Sequence, residues 1–285
     1  MAEKFTWLAS YPKSGNTWVR MLIHAYYQNG HVDINHSPYT FGDQGEYWLK
    51  AVSPLPIEDL GDSMRYMLRP ACLLNLLASS IDEPRLIKTH FVNARINDLP
   101  QFIPFPLTER AVYVVRDPRD VVSSLADYVQ IPVEDAVKNM NNNTYALQNA
   151  NGLTHYLASW STHVKSWIQE ERYPVAVLKY EDLLEDTLGE FIQLLEFLKI
   201  DVDEKRAARA VKACEISKLQ RQEAKKGFRE DLRQEKKPTV RFFRKGGSRW
   251  LDELDSKFAN QIEEDHRGMM EILGYLNTAS LKATG

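Results

Sequence analysis

The sequence predicts an α/β protein: a three-layer sandwich whose central sheet is mostly parallel. A short apolar run at residues 5–10 is followed by a glycine-bearing loop and then by apolar residues at helical spacing. A second run, residues 111–115, is apolar throughout and rich in β-branched residues, as a strand buried on both faces requires. Strand-like and helix-like segments alternate along the 285 residues, which we interpret as one domain covering 1–285.

Composition and charge exclude several classes of protein. With 44% hydrophobic and 26% charged residues the chain has an ordinary globular composition, and a net charge of −3 gives no overall attraction to nucleic acid or anionic membranes. Cys72 and Cys214 lie far apart, so we expect neither a disulfide framework nor a metal site but a reducing compartment, the cytoplasm. The N-terminus has no signal-peptide pattern, and no window reaches the roughly 18 apolar residues of a membrane span.

The first elements are a strand, a loop and a helix. Residues 5–10 form the strand, and residues 11–15 break it. The spacing of the apolar residues that follow predicts a helix from about 16 to 27. This order of elements opens many nucleotide-binding α/β folds.

The middle of the chain is less regular. Residues 31–85 are interpreted as a loop region with a helix near 69–77, and residues 85–89 as the next strand. After the strand at 111–115, Asp117 is suited to cap a helix, Pro118 to occupy its first position and Asp120 to lie in its first turn. The Asn-rich residues 139–152 are expected to form a mobile loop and are a candidate lid over a site.

The second half of the chain continues the alternation. A helix is expected at 155–170, then a strand at 175–179. Further helices are expected at about 184–199, 203–214 and 255–273, and a basic stretch, 241–249, lies between the last two.

Four polar motifs follow predicted strands. They are residues 13–17, 88–90, 116–124 and 180–182. Ligands of open parallel sheets bind at the carboxyl ends of the strands, so these motifs are expected to form one pocket.

The first motif has the components of an anion-binding loop. Gly15 allows the backbone to approach a ligand closely, and the N–H groups of the following helix point outward with the positive end of its dipole. Lys13 adds a charge, and Ser14 and Thr17 add hydroxyl donors. The lysine precedes the glycine, so this is not a Walker A loop. The alternative is a plain strand-to-helix turn with a solvated lysine.

The segment YPKSGNTW resembles the phosphosulfate loop of the cytosolic sulfotransferases, usually YPKSGTTW, with Asn16 in place of a threonine. The resemblance implies a P-loop-like site in which Lys13, Ser14, Gly15, Asn16 and Thr17 bind the 5′-phosphosulfate of 3′-phosphoadenosine-5′-phosphosulfate (PAPS). It also implies that Trp18 packs against the adenine, although a core position on its helix is an alternative.

The segment VVRDPRDVVSS resembles the family's 3′-phosphate site. Arg116 leaves the strand and Ser124 lies in the second turn of the next helix, so both reach one anion near the helix start. In the alternative, Arg116 only pairs with Asp117 or Asp120.

Weaker likenesses extend the resemblance toward the C-terminus. KYEDLLED implies that Tyr180 lies near the adenine, although a capping or core role is an alternative. FFRKGGSRW implies that Arg244, Lys245 and Gly246 bind the 3′-phosphate, unless this is a solvated basic loop. ACEISKL implies that Cys214 and Ile216 adjoin the nucleotide.

Lys88-Thr89-His90 matches the family's KTH motif, in which the histidine is the catalytic base. Imidazole, with an ordinary pKa near 6.5, can accept the proton of an attacking hydroxyl at neutral pH. Lys13 and Lys88 are suited to stabilise the leaving phosphate oxygen and the sulfuryl oxygens. We expect in-line transfer without a metal, and the alternative for His90 is a structural role.

The acceptor is not defined by the sequence. The aromatic residues Phe41, Tyr47, Trp48, Phe91, Phe102 and Phe105 suggest an apolar cleft for a phenol, an alcohol or a lipid-like molecule, although most of them also suit a core. The oligomeric state stays open, and nucleic acid and membrane partners are not expected. Two rival functions remain, a P-loop kinase-like enzyme that uses ATP and a nucleotide-binding module without catalytic activity.

Overall fold

A parallel sheet forms the centre of the protein. The computed structural model describes residues 4–36, 40–43, 45–78, 86–148, 153–230, 241–244 and 246–276. Within these ranges the strands are β1 Phe5–Ser10, β2 Thr40–Gly42, β3 Leu86–Thr89, β4 Thr108–Val115, β5 Ala146–Leu147, β6 His155–Tyr156 and β7 Val175–Lys179. Five of them make the main sheet in the order β2-β3-β1-β4-β7, and every neighbouring pair in it is parallel. Strands β5 and β6 form a separate antiparallel pair.

Helices cover both faces of this sheet. In chain order they are α1 Asn16–Tyr27, α2 Glu46–Lys50, α3 Asp62–Ala78, α4 Pro118–Val129, α5 Val133–Asn141, α6 Trp160–Ile168, α7 Tyr180–Glu185, α8 Thr187–Phe197, α9 Glu204–Ala213, α10 Ile216–Lys226, α11 Trp250–Glu253 and α12 Ser256–Ile272. Short 3-10 helices lie at Ile57–Asp59 and Phe105–Leu107. Helices α3 to α6 and α12 share one core with the sheet, and α1 and α7 to α10 share the other.

The two cores are separated by the alternation of side chains along the strands. In β1, Trp7 and Ala9 pack into one core, whereas Leu8 packs into the other. In β4, Tyr113 packs into the same core as Trp7, and Val114 packs into the same core as Leu8. Successive side chains of a strand point to opposite faces, and an apolar run therefore supplies both layers of helices. The three-layer α/β fold predicted from the sequence is confirmed.

Several predicted boundaries are confirmed to within a few residues. Strands β1, β3 and β7 and helix α1 lie where the sequence predicts them. The start of α4 is also as expected, because the Asp117 side chain accepts a hydrogen bond from the Arg119 N–H at 2.9 Å and Pro118 occupies the first turn.

The predicted helix at 155–170 is wrong in its first turn. His155–Tyr156 is strand β6, and Ala158 has a φ of 59°, which no α-helix accommodates. Ser159 then caps α6 by accepting a hydrogen bond from the Thr162 N–H, so the helix begins at Trp160. The residues after 159 have helical spacing, and the predicted helix was extended from them over the two-residue strand β6.

Other helices also differ from the prediction. Helix α3 begins at Asp62, seven residues before the predicted start at 69, and it contains Pro70 in its interior. The predicted helix 184–199 is replaced by α7 and α8, which meet at Asp186, the N-cap of α8. Helix α10 was not predicted, since its sequence is polar and buries only Leu219 among its described residues. In the Asn-rich segment, 139–141 complete α5, and 149–152 lie outside the described residues.

Three further properties bear on the class of protein. Cys72 and Cys214 are both buried and free. Within the described ranges, no helix is long and apolar enough to cross a bilayer. In the same ranges, no three His, Cys, Asp or Glu side chains cluster as a metal site would require.

A buried ion pair joins α3 to the end of β2. The Arg69 guanidinium donates to the Asp43 carboxylate at 2.7 Å, to the Asp43 carbonyl at 2.9 Å and to the Phe102 carbonyl at 3.1 Å. Burial alone would raise the pKa of the Asp43 carboxyl, but Arg69 and His155 hold that pKa well below its usual range. Removing either partner would leave a buried charge uncompensated.

We predict that Arg69→Met lowers the free energy of unfolding by about 3–5 kcal/mol, because Asp43 stays buried without its cation. Urea denaturation followed by circular dichroism measures the change. Lys138→Met, which breaks the exposed pair between Lys138 and Glu134, is the matched control and should change stability little. Equal effects of the two substitutions would show that the Arg69 pair contributes no more than a surface pair.

Candidate active site

A cavity of about 480 Å³ lies at the carboxyl ends of the parallel strands. Its lining includes Lys13 after β1, Lys88 and His90 at the end of β3, Arg116 after β4 and Tyr180 after β7. The four motifs singled out in the sequence therefore meet in one place, as the strand-end rule predicts.

The loop between β1 and α1 has the backbone of an anion-binding turn. Lys13 and Gly15 have φ values of 70° and 103°. Gly15 is the N-cap of α1 and makes no side-chain capping hydrogen bond. The first N–H groups of the helix, with the positive end of its dipole, are thus available to a ligand. The Ser14 hydroxyl is buried and has no hydrogen-bond partner among the described residues. A buried hydroxyl of this kind fits a bound anion.

Gly15 is required at its position for two reasons. Its φ lies in the left-handed region, and a Cβ placed there would be 2.5 Å from the Tyr180 ring. The ring of Trp18 meets Tyr180 edge to face, with ring centroids 5.7 Å apart. The loop after β1 and the start of α7 therefore fit each other only with a glycine at this point.

The next three residues of α1 have different contacts. The Asn16 amide donates to the Leu8 carbonyl at 3.1 Å, so this group binds the preceding strand, β1. The Thr17 hydroxyl oxygen accepts from Arg20 at 3.2 Å. The Trp18 indole donates to the Cys214 carbonyl at 3.1 Å and lines both the core and the cavity. Both proposed roles for Trp18, core packing and contact with a ligand, are compatible with this position.

The two lysines of the cavity have different surroundings. The Lys13 ammonium lies 3.7 Å from the ring centroid of Phe242 and 4.8 Å from that of Tyr128. These rings attract the cation through their π faces. The Lys88 ammonium lies 3.3 Å from the Glu230 carboxylate, and burial lowers the pKa of Lys88 while Glu230 opposes that effect.

His90 is held in one tautomer. Its Nδ1 lies 2.8 Å from the Ser10 carbonyl oxygen, which can only accept a hydrogen bond, so Nδ1 carries the proton and the lone pair is on Nε2. Burial lowers the pKa of His90 well below its usual value, and the nearby Lys88 and His155 lower it further. At neutral pH the side chain is therefore a neutral imidazole whose unprotonated nitrogen is Nε2.

Helix α6 fixes the chain at the end of β3. His163 donates from Nε2 to the His90 carbonyl at 3.1 Å and accepts from the Tyr113 hydroxyl at 2.8 Å. Trp167 donates to the Phe91 carbonyl at 3.1 Å. Burial lowers the pKa of His163 to about 3, so it stays neutral. Sequence reasoning missed both residues of α6, since only the fold brings them behind the KTH motif.

Arg116 and Ser124 both line the cavity. The Arg116 guanidinium lies 4.4 Å from the ring centroid of Tyr180 and 3.7 Å from the Asp120 carboxylate, and its Nε is buried without a partner among the described residues. Asp117 binds Arg119 instead, at 2.6 Å. The alternative in which Arg116 only pairs with these aspartates therefore does not account for its Nε.

The C-terminal candidates reach the site to different extents. Arg244 lines the cavity and binds Asp127 at 2.5 Å, and Ile216 also lines it. Gly246 packs closely on the Tyr180 hydroxyl, 2.5 Å from where a Cβ would lie. Cys214 is buried and adjoins the site through its carbonyl. Lys245 lies outside the described residues.

The aromatic residues suggested for an acceptor cleft lie elsewhere, as far as their side chains are described. Phe91 and Phe102 are core residues with ring centroids 4.7 Å apart, and Tyr47 and Phe105 are exposed. Trp48 lines a separate cavity of about 20 Å³, and the Phe41 side chain is outside the described residues. The rings that do line the site belong to Trp18, Tyr128, Tyr180, Phe242, Phe243 and Trp250. Composition alone does not separate core aromatics from those of a cleft.

The Asn-rich segment, expected to be a mobile loop, instead contains strand β5 at Ala146–Leu147 and reaches the cavity there. Leu147 and Gln148, from the Asn-rich segment, line the cavity next to His155. Arg20 and Glu230 also line it, and sequence reasoning missed both. Arg20 had a signal, a charged residue within an otherwise apolar stretch of α1, whereas Glu230 had none.

The chain is similar to several known proteins. The family model described as "Sulfotransferase domain" matches residues 3–274. The chain is 29% identical over 204 residues to bovine (Bos taurus) sulfotransferase 1E1, covering 67% of this chain and 57% of that protein. It is 26% identical over 275 residues to mouse sulfotransferase 1 family member D1, covering 93% and 82% respectively. The chain thus spans less than two thirds of the length of the bovine relative.

Two solved structures share the fold. Retinol dehydratase in complex with androsterone and the inactive cofactor PAP superposes with a TM-score of 0.60 at 21% identity, over 93% of this chain and 80% of that one. A mouse sulfotransferase complexed with PAP gives a TM-score of 0.60 at 19% identity, over 95% and 84%.

We predict that Gly15→Ala destabilises the protein by about 1–3 kcal/mol, because the added methyl group meets Tyr180 and the φ of 103° strains an alanine. Gly61→Ala is the control, since nothing lies within 4 Å of its Cβ position. Thermal unfolding measures both variants. A Gly15→Ala protein as stable as Gly61→Ala would mean that the loop does not hold the described conformation.

Proposed function

Because this chain belongs to the sulfotransferase family, we propose that it transfers the sulfuryl group of PAPS to a hydroxyl or amine of a small acceptor. One observation carries the proposal: a single cavity brings together Lys13, the neutral base His90 and Arg116 at adjacent strand ends. These are the groups that sulfuryl transfer requires, namely cations for the nucleotide anions and a base for the acceptor proton.

The residues of the cavity fit a nucleotide with phosphate groups at both ends. The buried Ser14 hydroxyl and the N-terminus of α1 suit the 5′-phosphosulfate. Arg116, with a buried Nε that has no described partner, and Ser124 both line the cavity and suit the 3′-phosphate. Trp18 and Tyr180, in edge-to-face contact, offer ring surfaces for the adenine.

In the proposed reaction PAPS supplies an electrophilic sulfur whose leaving group is the 5′-phosphate oxygen of the nucleotide. His90 accepts the acceptor's proton at Nε2 as the new bond to sulfur forms and the bond to the phosphate oxygen breaks. Lys13 and Lys88 stabilise the negative charge that grows on the leaving oxygen and the sulfuryl oxygens. The fixed imidazole and the rigid loops hold these groups in position before the reaction.

The apolar side chains that line the cavity support an acceptor with an apolar body. The rings of Phe242, Phe243 and Tyr128 line the cavity, and Leu147 adds an aliphatic side chain. An aromatic or lipid-like alcohol would bury its apolar part against these groups. Among the structural neighbours, retinol dehydratase was solved in one complex with androsterone and PAP and in another with retinol and PAP.

We predict that adenosine 3′,5′-bisphosphate (PAP) binds at least tenfold more tightly than AMP or ADP. Only PAP has the 3′-phosphate proposed to bind Arg116 and Ser124, and each hydrogen bond to such a charged group contributes about 1.5–3 kcal/mol. Isothermal titration calorimetry with the three nucleotides measures this preference. Arg116→Ala should abolish the preference, whereas Arg172→Ala, at an arginine paired with Glu170 outside the cavity, should retain it. Equal affinities in the wild type, or a requirement for magnesium, would support the rival ATP-dependent enzyme.

We predict that His90→Ala lowers the rate of sulfuryl transfer by about 10²–10⁴-fold and changes the affinity for PAP little. A base acts only when deprotonated, so the wild-type rate should fall as the pH drops through the pKa of His90. Since that pKa is lowered well below 6.5, the fall should lie below pH 6.5. Transfer of labelled sulfate from PAPS to a simple phenol measures the rate.

The control for this prediction is the exposed His31, whose replacement by alanine should leave the rate unchanged. If His90→Ala retains full activity, His90 is structural. If the wild type binds PAP but transfers nothing to any acceptor tested, the chain is a nucleotide-binding module. Should His90→Ala unfold, His90→Asn tests the same point with a side chain that keeps the bond to Ser10.

A further inference from the structure

Among the described residues that line the cavity are three carboxylates, Asp120, Glu230 and Glu253, and Glu230 is the one that lies beside Lys88. Glu230 lines the same space as Lys13, Lys88 and Arg116. By itself a carboxylate would repel an anionic nucleotide, so its position there calls for a physical reason. Its contacts supply one.

Glu230 binds two cations from two different elements. The Arg20 guanidinium of α1 donates to Oε1 at 2.8 Å and to Oε2 at 2.6 Å, a bidentate pair, and Arg20 is almost completely buried. The Lys88 ammonium donates to the same Oε2 at 3.3 Å from the end of β3. The carboxylate thus bridges the helix after the anion-binding loop and the strand that carries the KTH motif.

The segment that carries Glu230 is itself anchored. Phe228 is buried and packs against the rings of Phe242 and Phe243. The Asn35 side chain donates to the Gly227 carbonyl at 3.0 Å and accepts from the Arg229 N–H at 2.7 Å. Glu230 therefore follows a clamped stretch of chain, which limits the freedom of its carboxylate.

The same guanidinium also affects the anion-binding loop. Arg20 donates from Nη2 to the Thr17 hydroxyl oxygen at 3.2 Å. Because that oxygen accepts a hydrogen bond from Arg20, the hydroxyl hydrogen points elsewhere and can be donated to a ligand. Thr17 lines the cavity, so the ligand it meets is the bound nucleotide of the proposed function.

We propose that Glu230 is a positioning residue: through Arg20 and Lys88 it holds the Thr17 hydroxyl as a donor and keeps the Lys88 ammonium charged beside the transferring group. The inference rests on the proposed function for the identity of the ligand. The ion-pair cluster itself is tested without any ligand.

The charges around Lys88 determine the sign of the expected effect. Burial lowers the pKa of Lys88, Arg20 lowers it further, and Glu230 and Asp43 raise it. His90 and His155 also lie nearby, and burial lowers the pKa of each, so both are neutral at neutral pH. Burial would raise the pKa of Glu230, but Lys88 and Arg20 hold it well below its usual range, so Glu230 is charged throughout. Removing this charge therefore makes Lys88 lose its proton at a lower pH.

The closing experiment measures the titration of Lys88 in the ligand-free protein. Competitive labelling with trace acetic anhydride over a range of pH, followed by mass spectrometry of the peptide containing Lys88, reports when its amine becomes reactive. In Glu230→Gln the midpoint should be lower than in the wild type by about one pH unit or more, the usual effect of an opposite charge within 4–6 Å. Glu134→Gln, at an exposed ion pair with Lys138, should not move it.

A second measurement links the cluster to catalysis. The alkaline limb of the pH–rate profile should move to lower pH in Glu230→Gln, but not in the Lys88→Arg background, because arginine does not titrate in this range. If the protein transfers no sulfuryl group, the proposed function is wrong and no pH–rate profile can be measured. The labelling midpoint still shows whether Glu230 raises the pKa of Lys88.

Two results would overturn the inference. One is an unchanged labelling midpoint in Glu230→Gln. The other is tighter binding of PAP together with undiminished turnover in that variant, which would mean that the carboxylate only competes with the nucleotide. If Glu230→Gln fails to fold, Glu230→Asp, which keeps the charge but withdraws it by one methylene, should give a smaller downward shift. No shift in Glu230→Asp would then overturn the inference.

Discussion

The parallel pairing of β1 with β3 on one side and β4 on the other is the constraint on which the site depends. Ala9 is in register with Thr89, and Ser10 with Val114, so the three strands end at nearly the same level. A polar motif follows each of these strands. Because the strands are parallel, the motifs all lie at the carboxyl edge of the sheet. The bond from His90 to the Ser10 carbonyl is a direct product of this register, because it joins the ends of β3 and β1.

Charge balance is the second requirement of such an edge. Several cations gathered in a partly buried space repel one another and lose hydration, which lowers the pKa of any lysine among them. Carboxylates offset part of this cost: Asp120 beside Arg116, Asp127 beside Arg244, and Glu230 between Arg20 and Lys88. In the proposed function, the phosphate and sulfate groups of the nucleotide complete the balance when they bind.

Close packing then sets the shape of the cavity. Gly15 and Gly246 both approach Tyr180, one at its ring and the other at its hydroxyl, so the loops after β1 and before α11 close on the same side chain. Behind the motif at residues 88–90, His163 and Trp167 bind the backbone carbonyls of residues 90 and 91. These contacts hold the cavity-lining side chains in place, and they come from three different parts of the chain.

The sequence by itself determined the local features: the buried strands, the glycine loop, the cap of α4 and the motifs whose likeness identified the family. Each of these depends on residues that are neighbours along the chain. It did not separate α7 from α8, find the two-residue strand β6, or tell the aromatic residues of the core from those of the cavity, because such features depend on packing between distant segments. The pairing of Arg20 with Glu230 across 210 positions, and the tautomer of His90, were decided only by the tertiary structure. A charge or a ring nitrogen acquires its state from the groups around it, and folding brings those groups together.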